Sequence, residues 1–535
     1  MSEEKFLWWK KAVIYQIYPR SFRDTTGNGI GDLPGVLEKL PYLDEVLGVD
    51  ALWLSPFYPS PMKDFGYDVA DYRGVDPLFG TLDDFDRLLE ESHRRDIRMI
   101  IDLVPNHSSD QHRWFQESRS SRDNPKRDWY IWADPKPDGS PPNNWLSVFG
   151  GSAWEWAENT GQYYLHSFLK EQPDLNWRNP EVKEAMFDVV RFWLDRGVDG
   201  FRIDVAHYIL KDPEMRDNPQ NPRPMSSIHK PLGEYDSQMH LYDKGHPDVH
   251  EIYRELRTLL DSYGSNQPRV SIGETHIFDW EEWSRYYGEN LDELHMPYNF
   301  SLLGASWSAD EFRRLVGELE AHLPDGAWPN YVLGTHDDTR LASRYGRRQA
   351  RVAAMMLLTL RGTPTIYYGE EIGMEDIHLP PEMELDPAHA QKRDANRSPM
   401  QWAPGEQAGF SPPGGQDPWL PIHENYRRVN VAAEKEDPAS MLSLYRSLLA
   451  VRKEFPVLQN GSYEVLTDSP QNCFCYFRKT SRQTLLIALN FNREPRKLPD
   501  AVKSKEILLS TRLDRKGPAD GPLTLRPLEG LILDL

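Results

Sequence analysis

The stretch GVDGFRIDVAH, residues 197–207, decides the fold. Its middle reads as a short buried strand, with Phe201, Ile203 and Val205 on one face. Arg202 and Asp204 fall on the other face, two residues apart, so their side chains point the same way. A guanidinium beside a carboxylate in an apolar strand fits the carboxyl end of a barrel strand, where polar groups face an open mouth. Seven further runs of this kind recur: AVIYQIY (12–18), ALWLS (51–55), IRMIIDLV (97–104), RVSIGE (269–274), LHMPYNF (294–300), NYVLGTHD (330–337) and TPTIYYG (363–369). Between them lie amphipathic segments such as LDDFDRLLEESHRR (82–95) and PEVKEAMFDVVRFWLDRG (180–197). Eight apolar strands alternating with helices predict an α/β fold, the (β/α)8 TIM barrel.

Two gaps are too long for simple crossovers. Residues 105–177, rich in Trp, Pro, Gly and Asn, predict a small irregular domain inserted after strand 3. Residues 212–248 are proline-rich and read as a long loop after strand 4; another irregular region, 375–438, follows strand 8. From about 460 short strands such as CFCYFRK and QTLLIALNF predict a separate antiparallel β-sandwich. The expected domains are therefore the barrel (1–104 and 178–459), the insert (105–177) and the C-terminal β domain (460–535).

The chain has 535 residues and a formal net charge of -21, which argues against nucleic acid and anionic membranes as partners. No apolar run approaches the ~20 residues of a membrane span. The start, MSEEKFLWWKKAVIYQ, lacks the apolar core of a signal peptide. Cys473 and Cys475 share one face of a strand, a poor arrangement for a mutual disulfide. Reduced cysteines and a cytoplasmic location are the expectation.

The predicted strand ends carry the chemistry. Strand 3 offers Asp102, followed by Asn106 and His107; strand 4 offers Arg202 and Asp204; strand 5 offers Glu274; strand 7 offers His336 and Asp337. Convergence of these groups on one mouth suits glycoside hydrolysis. A retaining mechanism needs an ionised nucleophile and a protonated acid about 5–5.5 Å apart. Arg202 is expected to keep Asp204 ionised. Glu274 is expected to be the acid, its pKa raised by Asp204 and by partial burial. Asp337 is expected to stabilise the oxocarbenium-like charge.

The motifs AVIYQIYPRSF, DFGYDVADY, DLVPNHSSD, FGGSAW, GVDGFRIDV, THDDTR and RSPMQW together strongly resemble glycoside hydrolase family 13, the α-amylase family. QPDLN (172–176) is similar to the signature of its oligo-1,6-glucosidase group. The resemblance implies Asp204 as nucleophile, Glu274 as acid/base and Asp337 as third carboxylate. It implies that Asp64, Tyr67, His107, Arg202, His336 and Arg397 bind the non-reducing glucose and that Phe149 and Phe168 wall its pocket. Asp64 and Arg397 are expected to close the groove behind one sugar. The last motif departs from the family's Asn-His-Asp, with Thr335 in first place. Valine at 205 implies appreciable α-1,6 cleavage.

The resembling activity is a retaining exo-α-glucosidase acting on small α-glucosides without an organic cofactor. A transglucosylase or isomerase shares the same intermediate. A non-catalytic transporter subunit would need a membrane helix and would tolerate loss of the carboxylates that this chain keeps. In DTTGNGIGD (24–32), oxygen-bearing residues recur at alternate positions, like the start of an EF-hand loop. Relatives bind calcium or magnesium there, so the resemblance implies a structural ion at Asp24, Asn28, the Ile30 carbonyl and Asp32. Thr26 and Asn28 replace the relatives' Asn and Asp, which removes one formal charge and weakens the site.

Overall fold

The computed structural model describes residues 7–222, 231–264, 267–387, 392–519 and 521–535. The first six residues of the N-terminal reading and residues 223–230 of the loop after strand 4 lie outside the described residues.

All eight predicted strands form one parallel sheet. They are β1 (Ile14–Ile17), β2 (Ala51–Leu54), β3 (Arg98–Leu103), β4 (Gly200–Ile203), β5 (Val270–Gly273), β6 (Met296–Pro297), β7 (Asn330–Val332) and β8 (Thr363–Tyr367). Their order, β7-β8-β1-β2-β3-β4-β5-β6, is that of a barrel open at one seam. The Asn299 N–H donates to Asn330 Oδ1 at 3.3 Å across that seam.

Alternation along the strands sets the layers. Ile14, Trp53, Ile100, Ile272 and Met296 fill the barrel interior, while Tyr15, Leu52, Ile101, Phe201 and Ile203 pack outward in the main core. Two residues further along the inward face come Gln16 on β1 and Asp102 on β3, with Arg202 on the inward face of β4. Strand register puts Arg202 opposite Asp102 on β3 and Ile272 on β5. Gly200 permits this approach, since a Cβ there would meet the Val270 carbonyl oxygen at 2.5 Å. The pairing that looked odd in sequence is thus the upper, polar layer of the barrel core.

Helices carry local start and stop signals. α1 (Leu33–Pro41) is capped by Asp32. α2 (Leu82–Arg94) opens on a Thr81/Asp84 capping box. α3 (Pro180–Arg196) has Asn179 as its N-cap and ends at left-handed Gly197. α4 (Val249–Ser262), α5 (Trp280–Arg285), α6 (Ala309–His322), α7 (Arg347–Thr359) and α8 (Met441–Glu454) follow.

The insert is more regular than its composition suggests. Trp132–Ala133, Gln162–Leu165 and Trp154–Ala157 form a three-stranded antiparallel sheet. Bridges His107–Asp174 and Tyr130–Leu175 return its end to its beginning. The C-terminal β domain holds a six-stranded antiparallel sheet and a two-stranded ribbon. Cys473 and Cys475 are free and buried there. No helix of the described residues is long and apolar enough to cross a membrane.

Candidate active site

One guanidinium ties the carboxylates together. Arg202 Nη1 lies 2.7 Å from Asp102 Oδ1 and 2.8 Å from Asp204 Oδ1; its Nη2 lies 2.7 Å from Glu274 Oε2. Trp53 Nε1 donates to the other oxygen of Asp102 at 2.9 Å. Arg202 therefore does not serve Asp204 alone, as the sequence suggested. The reason is register: β3, β4 and β5 bring all three carboxylates within reach of one fork of N–H groups. Burial pushes Asp102 up to about 6 against the pull of Arg202.

Asp204 and Glu274 are gripped by the same guanidinium, and the charge of Glu274 acts on Asp204. Burial and the Glu274 charge push Asp204 well up. Burial also raises Glu274, but Arg202 first and His276 next outweigh it and hold that carboxyl below the usual range. This reverses the expectation that Glu274 is the raised member of the pair. Two contacts invisible in sequence hold the Glu274 oxygens. The Val205 N–H donates to Glu274 Oε2 at 2.9 Å, and His276 Nε2 lies 3.0 Å from Oε1.

β4 ends at Ile203, and Val205 turns to φ 35°. Its side chain leaves the face of Phe201 and Ile203 and joins Val148, Tyr208 and Tyr235. β7 likewise ends at Val332, so His336 and Asp337 stand on the loop beyond it.

A cavity of about 320 Å³ opens over these groups. Asp204, Glu274, Asp337, Asp64, Tyr67, His107, Phe149, Phe168 and His336 line it, as the sequence expected. Arg202 and Arg397 are behind its wall. Arg397 Nε donates to the His336 carbonyl at 2.7 Å and Nη2 to Asp337 Oδ1 at 2.9 Å, so it holds Asp337 from beneath.

Arg393, which sequence reasoning missed, takes the place foreseen for Arg397. It lies 3.0 Å from Asp64 Oδ1, 2.6 Å from Asp386 Oδ1 and 3.2 Å from Asp337 Oδ1. This ionic chain joins the cavity lining at Asp64, Asp337 and Arg393. Burial pushes Asp64 up to about 6, opposed by Arg393. A short 3-10 turn, Arg393–Asn396, presents Arg393 and leads directly into Arg397; no periodic pattern marks it in the sequence.

His336 lies between aromatic rings, stacked on Tyr67 and on Tyr18 with centroids 5.5 and 5.8 Å away. Gln16 Nε2 lies 2.8 Å from its Nδ1 and the Tyr67 hydroxyl 2.9 Å from its Nε2. Burial pushes it down to about 3, so the ring is neutral. If Gln16 donates to Nδ1, the ring proton sits on Nε2, facing Tyr67 and Asp337. Gln172, the first residue of QPDLN, donates to Asp64 Oδ2 at 3.1 Å and also reaches His107. Phe149 and Phe168 meet edge to face at 5.6 Å.

The predicted ion loop closes by internal hydrogen bonds. Asp24 accepts N–H from Thr26, Gly27 and Gly29 and the Ser411 hydroxyl. Asp32 accepts from Thr25 and Gly35, and Asn28 Oδ1 from the Ile30 N–H. Among the described residues no group of three or more His, Cys, Asp or Glu gathers for a metal. These oxygens fit an ion only in part, because amide donors already engage them.

A parallel barrel with three carboxylates, two buried histidines and buried arginines around one cavity defines the class: a carbohydrate-cleaving (β/α)8 enzyme. The family model described as the α-amylase catalytic domain matches residues 16–461. A "Probable alpha-glucosidase" of Rhizobium meliloti (strain 1021) is 45% identical over 85% of this chain and 84% of its own. An oligo-1,6-glucosidase of Parageobacillus thermoglucosidasius is 38% identical over 98% of both. A solved α-glucosyl transfer enzyme superposes with a TM-score of 0.91 and 42% identity, covering 98% of this chain and 99% of that one. The chain belongs to glycoside hydrolase family 13, within its α-glucosidase and oligo-1,6-glucosidase group, and acts as a glycosidase.

Proposed function

We propose that the enzyme is a retaining exo-α-glucosidase that releases glucose from the non-reducing end of short α-1,4- or α-1,6-linked gluco-oligosaccharides. The observation that carries this reading is a pair of carboxyls, Asp204 and Glu274, held by the two nitrogens of one Arg202 guanidinium at 2.8 and 2.7 Å beneath a cavity walled at Asp64 and Arg393. Inverting enzymes keep their carboxyls ~6.5–9.5 Å apart to admit a water; a shared guanidinium fork supports the shorter retaining separation. A longer chain would have to bury the ionic wall unpaired, which supports removal of one glucose at a time.

The reaction runs in two displacements. An Asp204 oxygen attacks C1 while Glu274 protonates the departing oxygen, and the C1–O electron pair leaves with that oxygen. Water then adds to C1, Glu274 takes its proton, and the C1–Asp204 electron pair returns to Asp204. Asp337, held by Arg393 and Arg397, faces the charge that develops on the sugar. The wild type should release α-glucose first, seen by NMR, and maltoheptaose should shorten one unit at a time. Asp204→Ala should lose turnover, with partial rescue by azide. Glu274→Gln should fall by about 10²–10⁴ on maltose and by less on α-glucosyl fluoride. Inverted product, or wild-type-like hydrolysis by Asp204→Ala, overturns the assignment.

A second reading, glucosyl transfer, is favoured by the entrance, where Val148, Val205, Tyr208 and Tyr235 form an apolar cluster with Leu232. Such a rim disfavours water and accepts a sugar ring. The ratio of transfer product to free glucose at high maltose measures it. The free buried cysteines support a cytoplasmic location. The alternating oxygens of the Asp24–Asp32 loop support a weak structural calcium or magnesium ion with no chemical role. Added calcium should raise the thermal midpoint by native-state binding, and EDTA should leave it unchanged, because the loop closes without an ion. An unchanged midpoint at millimolar calcium rejects the ion.

A further inference from the structure

We propose that His276 is the positioning residue of the acid/base carboxyl, holding Glu274 Oε1 in place toward the leaving sugar. The proposal rests on the retaining reading above.

Glu274 Oε2 faces Arg202 Nη2 at 2.7 Å and accepts the Val205 N–H at 2.9 Å. An oxygen that accepts two N–H groups is a poor place for a proton, so the acid proton belongs on Oε1. His276 Nε2 is 3.0 Å from that oxygen. The ring lies nearly flat on Phe300, with centroids 4.7 Å apart and planes 12° apart, which fixes its direction. His276 lines the cavity and its side chain is 36% exposed, so it links a buried acid to water.

Other charged groups act nearby. His207, from the loop after β4, has its ring centroid 6.3 Å away; burial first, then Lys244, keeps it neutral. Lys244 itself donates to the Tyr208 and Tyr235 hydroxyls. Arg202 and Asp337 act on Glu274 from the barrel and from the loop after β7.

In the first displacement Glu274 Oε1 gives its proton to the glycosidic oxygen, as the C1–O bond breaks and Asp204 bonds to C1. In the second, water bonds to C1, its proton passes to Glu274 Oε1, and the C1–Asp204 bond breaks. His276 fixes the place of Oε1 in both steps.

The test compares His276→Gln and His276→Phe with wild type in pH profiles of kcat/KM, on maltose and on α-glucosyl fluoride, whose leaving group needs no proton. His276→Phe should move the basic limb on maltose to higher pH, because the hydrogen bond from His276 lowers the Glu274 carboxyl, and His276→Gln, which can keep a donor at Oε1, should move it less. Loss on maltose at pH 7 should exceed loss on the fluoride by tenfold or more, mainly in kcat. Circular dichroism and thermal midpoints check folding, and the ratio between the two substrates is read on the folded fraction alone. An unmoved basic limb, or equal losses on both substrates, overturns the proposal. Inverted product from the wild type instead removes the retaining reading beneath it, so the two failures are distinguishable.

Discussion

At Val205 backbone geometry and chemistry meet in a single residue. Its φ of 35° is an outlier for a β-branched side chain, a strain of about 1–3 kcal/mol. The flanks enforce it: the Asp204 N–H donates to the Leu103 carbonyl and the Ala206 N–H to the Glu274 carbonyl, each at 2.8 Å. In exchange the Val205 N–H reaches the acid/base carboxyl while its side chain turns to the cavity. Alternation in the sequence put Val205 on the face of Phe201 and Ile203, because no residue pattern announces a positive φ. On the proposed mechanism this side chain, next to Asp204, would narrow the path of the leaving sugar, and an α-1,6 link has an extra rotatable bond with which to avoid it. Val205→Thr should keep the fold and shift the kcat/KM ratio towards maltose over isomaltose. The shift is bounded by the ~1–3 kcal/mol that a methyl-sized change is worth. A ratio that does not move assigns linkage to the loop around Tyr235 instead.

At the scale of elements, every barrel strand was legible from its apolar run, because period-two burial and turn signals are local. The short lengths of β6 and β7 were not, since their runs continue after the backbone has left the sheet. The insert's sheet was hidden by a Trp- and Pro-rich composition. Arg393 and Gln16 escaped notice because each acts through partners distant in sequence, and His276 because a lone histidine two residues past Glu274 makes no pattern. The turn after β8 holds a further case. Glu370 is buried, its Oε1 accepting the Tyr445 hydroxyl of α8 at 2.7 Å while Oε2 has no hydrogen-bond partner. Burial pushes it up to about 7 from its ordinary 4.5. The folded pKa is raised, so its stabilising contribution is complete below pH 4.5 and lost as pH rises through 7. The difference corresponds to about 3 kcal/mol. Glu370→Gln keeps the acceptor for Tyr445 and cannot ionise. Its thermal midpoint should exceed that of the wild type at pH 8, and the gap should close by pH 5. A gap independent of pH would mean that Glu370 does not ionise in this range.

Across the whole molecule, the cavity is assembled from the barrel, the insert, the loop after β4 and the loop after β8, and the barrel is in turn fastened to the C-terminal domain by buried cations. Arg478, on the strand Cys473–Lys479, donates to the carbonyls of Thr359 at 2.6 Å, Leu458 at 2.9 Å and Gly461 at 2.9 Å. Arg452 of α8 donates to those of Leu358, Leu458 and Gly362. Burial lowers Arg478 to about 9 and Arg452 to about 10. Both arginines meet carbonyls and not carboxylates. Thr359 ends α7 and Gly461 follows the short helix Val457–Asn460, so Arg478 sits where helix dipoles present negative ends. Removing it exposes two opposing effects: a desolvated cation is relieved, but three buried acceptors lose their donor at about 1–3 kcal/mol each. The acceptors outnumber the cation, so Arg478→Met should lower stability by roughly 3 kcal/mol. Arg478 contacts no cavity-lining group, so kcat/KM well below the unfolding transition should stay within about twofold, a difference worth less than 1 kcal/mol. Denaturant unfolding followed by tryptophan fluorescence, with kinetics at 20 °C, reads both. A midpoint equal to that of the wild type would show that the carbonyls find other donors.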